Sequence, residues 1–245
     1  ERPLRLAGPP AAAGGGPPPQ WERLVVDEQS RSFSSVLRSQ FPEELLASWW
    51  RSAVAGTPWH QPSTRFGTLL PRQAAWFVRR GCSCCYAYNG TQWPAVEMPP
   101  WLLDIEAAVW KKLSPDGEPL EPPNSCVLNL YADGSQSVDW HADDEALFDG
   151  VRRDSRIVSL SLGAARRFDV RRRRGSVGRG GDRGATGVEL RGGDIVTMEG
   201  LFQKHWDHRV PRQASVEAPR INLTWRTIAA HASACPHAPP SASLQ

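Results

Sequence analysis

No stretch of this 245-residue chain is apolar for the roughly 18–20 residues that a membrane-spanning helix needs. A helical membrane protein is therefore not expected. A second C-x-x-C is also missing: the single instance, Cys82 to Cys85, lacks the partner pair that a zinc knuckle of the usual spacing needs. The five cysteines are an odd number, and three of them crowd into CSCCY (Cys82, Cys84, Cys85). That is not a disulfide framework, so free thiols in a reducing compartment are expected. A zinc site joining this cluster to HASACPH (His231, Cys235, His237) is the alternative. An initiating methionine is absent too. The chain starts at Glu1, and a processed chain or a piece of something longer is expected, with any targeting peptide out of view.

What is present suits a globular domain with a sizeable core: 40% apolar residues, 11 tryptophans and 22% charged residues. The net charge of +3 is mild, but arginines cluster at Arg152, Arg153, Arg156, Arg166, Arg167 and Arg171 to Arg174. Such a run suits either contact with a phosphate backbone or a solvated loop.

Composition divides the chain into three parts. Residues 1–20 carry GPPAAAGGGPPP and read as a linker or disordered tail, and residues 231–245 read as a second disordered tail. Residues 21–230 form one continuous domain. It opens with a strand in ERLVVDEQ, followed by helices in FPEELLASWWRSA and PPWLLDIEAAVWKKL, where apolar residues recur at helical spacing. After Pro123 the period changes to two in CVLNLYA, RIVSLSLG, RRFDVR, VELRGGDIVTME and PRINLTWRTI. Short strands between Gly and Asp turns indicate an antiparallel sandwich or barrel. Gly175 to Gly187 is too rich in glycine for a strand and is expected to be a mobile loop. The fold class is α+β with a mainly β core: helices first, then a β-domain.

The stretch SVDWHADDE packs His141 among Asp139, Asp143, Asp144 and Glu145. Carboxylates this close repel unless a cation sits among them. In extended backbone His141 and Asp143 share a face and can hold two positions of a divalent metal. HWDHRVPR offers a third ligand, His208 in preference to His205, because RVP suits the entry of a strand. Two histidines and one carboxylate make the facial triad of non-haem iron(II) oxygenases. In PRINLTWR, Arg220, Asn222, Thr224 and Arg226 line one face, and Asn129 and Tyr131 share a face in VLNLY. A barrel interior does not bury two guanidinium groups without partners. A small dicarboxylate held by arginine forks is implied, unless the strand lies at an edge with its polar face in water.

Taken in order, N-x-Y, H-x-D, HRVPR and R-x-N-x-T-x-R resemble the AlkB family of iron(II)- and 2-oxoglutarate-dependent dioxygenases, nearest to its AlkB homologue 3 branch. The resemblance covers roughly Phe66 to Ile228 and is dense after Asn124. It implies a double-stranded β-helix, or jelly roll, buttressed by N-terminal helices. It implies iron(II) on His141, Asp143 and His208, and 2-oxoglutarate on Asn129, Tyr131, Arg220, Asn222, Thr224 and Arg226, with dioxygen as the third reactant. CYAYNG and PRQAAWF resemble the segments around the flipped base, which implies that role for Tyr86, Tyr88 and Trp76. Phe77 and Val78 stand where the family usually has a glycine.

The activity implied is oxidative demethylation of 1-methyladenine and 3-methylcytosine. These are cationic bases, which Asp144 and Glu145 would face, while Asp139 points to solvent. A methylated Watson–Crick edge pairs poorly and flips out at reduced cost. Arg65 to Gly67 is the one candidate wedge for opening a duplex, so single-stranded DNA or RNA is the expected partner. No membrane partner is expected, the protein is expected to be monomeric, and the nucleus or cytoplasm is its expected location. Two other readings stay open: a jelly-roll dioxygenase acting on protein, lipid or a small molecule, and a nucleic-acid-binding module without chemistry.

Overall fold

The computed structural model describes residues 21–88, 90–114, 120–173 and 184–238, without the side chains of 88 and 91. Residues 1–20, residues 239–245 and most of the glycine-rich stretch lie outside the described residues.

Strands β1 (Trp21–Asp27) and β2 (Ser32–Leu37) form a hairpin ahead of helix α1 (Glu43–Gly56). Then come β3 (Gln73–Val78), β4 (Tyr86–Tyr88), β5 (Thr91–Trp93) and β6 (Val96–Glu97), followed by α2 (Pro100–Leu113). The remaining elements are β7 (Ser125–Tyr131), β8 (Val138–His141), β9 (Ser155–Gly163), β10 (Arg166–Arg172), β11 (Thr186–Leu190) and β12 (Ile195–Gly200), then the short α3 (Phe202–His205), β13 (Trp206–Val210) and β14 (Arg220–Arg226). Pro99 and Pro100 open α2 at the positions where proline has no N–H to lose, and Lys111 and Lys112 complement the dipole at its last turn.

Eight strands make a major sheet in the order β1-β2-β12-β9-β14-β7-β3-β6, and four make a minor sheet in the order β11-β10-β13-β8. All neighbours in the two sheets are antiparallel except β3 and β6. The alternation of β14 explains the layering. Ile221, Leu223 and Trp225 pack with Trp49 and Ala53 of α1 and Leu102, Ile105 and Val109 of α2 in one apolar core. On the opposite face, Val36, Val196 and Met198 of the major sheet meet Val138, Phe168, Val170 and Val210 of the minor sheet in a second core. The order is helices, major sheet, minor sheet: the jelly roll with helical buttress that the sequence implies.

Helices do not simply come first. β1 and β2 precede α1, β2 pairs with β12, and β3 pairs with β7, so N-terminal segments widen the jelly-roll sheet. β3 escapes the period-two pattern because it is buried on both faces: Ala75 and Phe77 join the helix-side core, and Ala74, Trp76 and Val78 a third one. β2 escapes because its inward residues include Ser32 and Ser34, both buried. The expected C-terminal tail is also corrected in part. Residues 231–238 run as turns against the β3–β4 loop, with Cys235 buried. Among the described residues no helix is long and apolar enough to cross a membrane.

Gly163 ends β9 with φ of +83°, at the point where β9, the start of β14 and α1 converge. A Cβ there would lie 2.5 Å from the Pro219 carbonyl oxygen and 2.7 Å from the Trp50 ring. Gly163→Ala is expected to cost about 2 kcal/mol or more through backbone strain and clash. A thermal melt would read this as a Tm lower by several degrees, whereas an unchanged Tm would mean that this corner gives way freely.

Candidate active site

The metal-capable group is built by a register. His208 of β13 sits directly across from His141, the last residue of β8, and their rings are 4.2 Å apart between centroids. The chain leaves β8 after His141, and Asp143 comes from the coil that follows rather than from the strand itself. Its backbone N–H donates to Gln203 Oε1 at 2.9 Å, which fixes how the coil turns back. Asp143 Oδ1 lies 3.8 Å from His141 Nε2, and Oδ2 lies 3.9 Å from His208 Nε2. The three ligand atoms fall within 4.8 Å of one another. His205, the other histidine of HWDHRVPR, sits in α3 outside this group.

The charge states suit a metal. His141 Nδ1 is 2.7 Å from the Asp139 carbonyl. That oxygen can only accept, so Nδ1 carries the hydrogen and Nε2 keeps a free lone pair. Burial holds the His208 imidazole down at about 3 and lowers His141 as well, so both are neutral near pH 7. Burial alone would push the Asp143 carboxyl up. The Arg226 guanidinium more than offsets this, with Nη2 at 2.7 Å and Nε at 3.0 Å from Oδ2, and holds the carboxyl at about 2. Two neutral imidazoles and one carboxylate face a common point.

Beside them lies the polar row of β14. The strand is not at an edge: it runs between β9 and β7, and all seven residues are buried. Thr224 Oγ1 donates to Asn222 Oδ1 at 2.8 Å, and Asn222 Nδ2 donates to Ser159 Oγ at 2.6 Å. Asn129 lies opposite Asn222 and accepts from Arg72 Nε at 2.8 Å. Tyr131 lies opposite Arg220, whose guanidinium carbon is 5.6 Å from the tyrosine ring. Arg220 is only 1% exposed. Its Nη2 donates to Ser161 Oγ at 2.9 Å, while Nε and Nη1 are buried with no hydrogen-bond partner. Burial lowers its pKa to about 10, yet at neutral pH it remains a cation. A buried guanidinium with two idle nitrogens costs several kcal/mol unless an anion completes it. A small dicarboxylate fits that need, so these residues are compatible with 2-oxoglutarate next to a metal on the triad.

A single cavity is lined by His141, Asp143 and His208 and by Asn129, Tyr131, Arg220, Asn222, Thr224 and Arg226. Of the residues assigned to the base, Tyr86 reaches this cavity. Trp76 does not: it stacks behind Tyr86 at 5.1 Å, is 1% exposed, and donates its indole N–H to the Cys84 carbonyl. The side chain of Tyr88 lies outside the described residues. Glu145 accepts a 2.5 Å hydrogen bond from the Tyr86 hydroxyl, and its Oε2 is buried without a partner. Burial, and then the charge of Asp143, push the Glu145 carboxyl up to about 7. Asp144 turns outward onto Arg173 at 2.9 Å and is not brought to the cavity. Asp139 is exposed.

Three contributors went unread in the sequence. Trp93 lines the cavity edge-on to Tyr86 at 5.1 Å, Arg72 lines it beside Asn129, and Gln203 steers Asp143. Nothing in their spacing marks them, since each arrives from a different loop or short element. A groove lined by Arg72, Trp140, His141, Arg209 and Arg212 borders the cavity, with the Arg171 and Arg209 guanidinium groups 4.3 and 4.4 Å from the Trp140 ring. The arginine run itself is mostly paired: Arg171 with Asp207, Arg172 with Asp27, Arg173 with Asp144 and Arg156 with Glu199. Phe66, in the candidate wedge, is 80% exposed on a turn.

Comparisons with known proteins agree with this geometry. The sequence profile of the 2OG-Fe(II) oxygenase superfamily matches residues 34–226. An Arabidopsis thaliana protein named DNA oxidative demethylase ALKBH2 is 32% identical over 192 residues, covering 70% of this chain and 58% of that protein. The Homo sapiens alpha-ketoglutarate-dependent dioxygenase alkB homolog 3 is 40% identical over 107 residues, covering 43% of this chain and 36% of that protein. The chain thus spans little more than half, or less, of these relatives' lengths. A solved structure titled as that of OsALKBH1 superposes with a TM-score of 0.50 at 20% identity, covering 79% of this chain and 96% of that one. That likeness bears on the fold.

Gln203→Ala frees the coil that carries Asp143 and is expected to weaken Fe(II) or Mn(II) binding about 10- to 100-fold, the usual effect of losing an outer partner of a metal ligand. Calorimetric titration of the metal would read it, and undiminished affinity would show that Gln203 has no hold on the carboxylate.

Proposed function

The chain belongs to the 2OG-Fe(II) oxygenase superfamily, in its AlkB branch, and from that premise we propose that it removes methyl groups oxidatively from 1-methyladenine and 3-methylcytosine in single-stranded DNA or RNA. One observation carries the reading: a histidine–carboxylate–histidine triad and a buried, half-unpartnered arginine share a cavity whose aromatic wall is Tyr86 and Trp93. One relative of this chain is named a DNA oxidative demethylase, which supports a nucleic-acid substrate, and another an alpha-ketoglutarate-dependent dioxygenase, which supports the reaction type.

Iron(II), 2-oxoglutarate and dioxygen, when bound, supply the oxidation: one oxygen atom leaves in succinate as carbon dioxide departs, and the other enters the N-methyl group, which is then lost as formaldehyde. The protein's own residues supply placement. His141 and His208 present Nε2, and Asp143 its carboxylate, as three metal positions. Arg226 keeps Asp143 ionised and in place through its hydrogen bonds to Oδ2. Arg220, seated on Ser161, would hold the distal carboxylate of the keto acid, with Asn129 and Tyr131 opposite and the Thr224–Asn222–Ser159 chain fixing the wall between. Burial of these groups keeps water from the reacting atoms and strengthens each charge interaction.

The methylated base stacks against Tyr86, backed by Trp76, with Trp93 at the edge. Glu145 sits behind the Tyr86 hydroxyl and, when ionised, offers negative charge to a cationic base. The groove of Arg72, Trp140, Arg209 and Arg212 suits a single strand, because it combines arginines for phosphates with an aromatic face. The protein would work as a monomer where nucleic acid is found, in the nucleus or cytoplasm.

Incubation with Fe(II), ascorbate, 2-oxoglutarate and oligonucleotides bearing either base is expected to shorten the product by the mass of one methylene, and His141→Ala or Asp143→Ala to abolish this. Turnover of 2-oxoglutarate with unchanged oligonucleotides would point to a different substrate. Glu145 gains its negative charge as pH rises through about 7. Affinity for the cationic base is therefore expected to rise over that window. In Glu145→Gln this rise should disappear, with KM about 5-fold higher (~1 kcal/mol) and kcat little changed. A pH–KM profile identical in both proteins would remove Glu145 from base recognition.

A further inference from the structure

Away from the cavity, on the outer side of the Trp76–Tyr86 stack, four soft ligand atoms converge. Cys82 and Cys84 come from the β3–β4 loop, and His231 and Cys235 from the C-terminal turns, with all four ligand atoms within 4.8 Å of one another. Cys235 Sγ lies 3.6 Å from Cys82 Sγ, while His231 Nδ1 lies 3.4 Å from Cys235 Sγ, 3.5 Å from Cys84 Sγ and 3.9 Å from Cys82 Sγ.

These separations have a geometric meaning. With Zn–S of about 2.3 Å and Zn–N of about 2.0–2.1 Å, the edges of a regular tetrahedron are about 3.8 Å between sulfurs and about 3.5–3.6 Å between sulfur and nitrogen. The observed distances scatter around those edges. They are far too long for a disulfide, whose sulfurs bond at about 2.05 Å. Cys84 is 1% exposed and Cys235 is 4% exposed, so the ligand ends face inward. The Ala232 N–H donates to Cys84 Sγ at 3.4 Å, a bond that favours a thiolate acceptor. Three thiolates and an imidazole in a closed tetrahedral set select zinc over the iron that the oxygen- and nitrogen-rich triad prefers.

We infer that Cys82, Cys84, His231 and Cys235 form a structural Zn(II) site, distinct from the catalytic triad, that fastens residues 231–238 to the loop leading into β4. Its neighbours suit that purpose. The Ala229 and Ala230 N–H groups donate to the Leu147 carbonyl, and His237 Nε2 meets the Arg80 carbonyl at 2.9 Å. These contacts seat the C-terminal segment, and the ion locks it. Through the Cys84 carbonyl, bonded to the Trp76 indole, the staple also steadies the stack behind Tyr86.

The test is zinc stoichiometry of the full chain, by elemental analysis and native mass spectrometry. The His141→Ala/Asp143→Ala double variant serves as background, because it disables the other metal-capable group. The expected result is one zinc per chain in that background. A mercurial thiol reagent should release it, with the released metal read by a zinc-sensitive dye. Adding Cys84→Ser or His231→Ala should reduce bound zinc at least 10-fold. Strong chelation of the double variant should lower its Tm by ~5 °C or more. Should these extra substitutions prevent folding, Co(II) exchanged into the double variant gives a separate readout, with sulfur-to-cobalt charge-transfer absorption of tetrahedral thiolate ligation expected. Zinc-free protein, another metal in its place, a Cys82–Cys235 disulfide, or zinc that persists in the Cys84 and His231 variants would each overturn the site.

Discussion

The contact between Arg226 and Asp143 is the constraint on which the cavity depends. Asp143 sits on a coil beyond the minor sheet, and Arg226 ends the central strand of the major sheet, so their pairing ties the two sheets together at the metal-capable point. Both groups are buried, and a carboxylate there would otherwise take up a proton and lose its value as a ligand. The guanidinium keeps it ionised while leaving the histidines neutral, a division of charge that favours a divalent cation over a proton. Breaking such a buried pair from one side typically costs about 3–5 kcal/mol, because the other charge is stranded. The pair therefore shapes the site and stabilises the fold at once.

Arg220 carries the complementary strain at the other end of the same strand. It is as deeply buried as Arg226, but among the described residues it pairs with no acid and meets only Ser161 and the face of Tyr131. One strand thus presents one satisfied and one unsatisfied guanidinium, separated by Asn222 and Thr224. The satisfied one organises the metal ligands, and the unsatisfied one is poised for an incoming anion. Most of the other arginines among the described residues are matched with acids, as in Arg172 with Asp27 and Arg156 with Glu199.

The parts legible in the sequence are those set by strand period. The alternation in PRINLTWR separates Arg220, Asn222, Thr224 and Arg226 from Ile221, Leu223 and Trp225, and the fold uses those two faces as read. His208 across from His141 follows from two strands that each announce themselves. Asp143 belonged to the triad as read, although its position comes from a coil steered by Gln203 and not from a shared strand face. What escaped has a physical reason in each case. Arg72 and Trp93 reach the cavity through tertiary packing of short loops, where no periodicity exists. β3 is apolar on both faces, so it does not alternate. Asp144 looks interchangeable with Glu145 in DDE, but one points to Arg173 and the other to Tyr86, a difference fixed by how the coil turns. The C-terminal cysteine and histidine read as tail, with a zinc site only as the alternative, because their partners lie some 150 positions away and because C-x-C with H-x-x-x-C is not the usual zinc spacing.

The central claim is that the Arg220 guanidinium and the His141–Asp143–His208 triad form one binding site for a metal and a keto diacid. Anaerobic calorimetry on the Fe(II)-loaded protein tests it most directly, by comparing 2-oxoglutarate with 2-oxobutyrate, which lacks the distal carboxylate, in the unaltered protein and in Arg220→Met. The expected result is that 2-oxoglutarate binds at least ~100-fold more tightly than 2-oxobutyrate (~2.7 kcal/mol) and that Arg220→Met abolishes most of this preference. Equal affinity for the two keto acids, or a preference that survives in Arg220→Met, would contradict it.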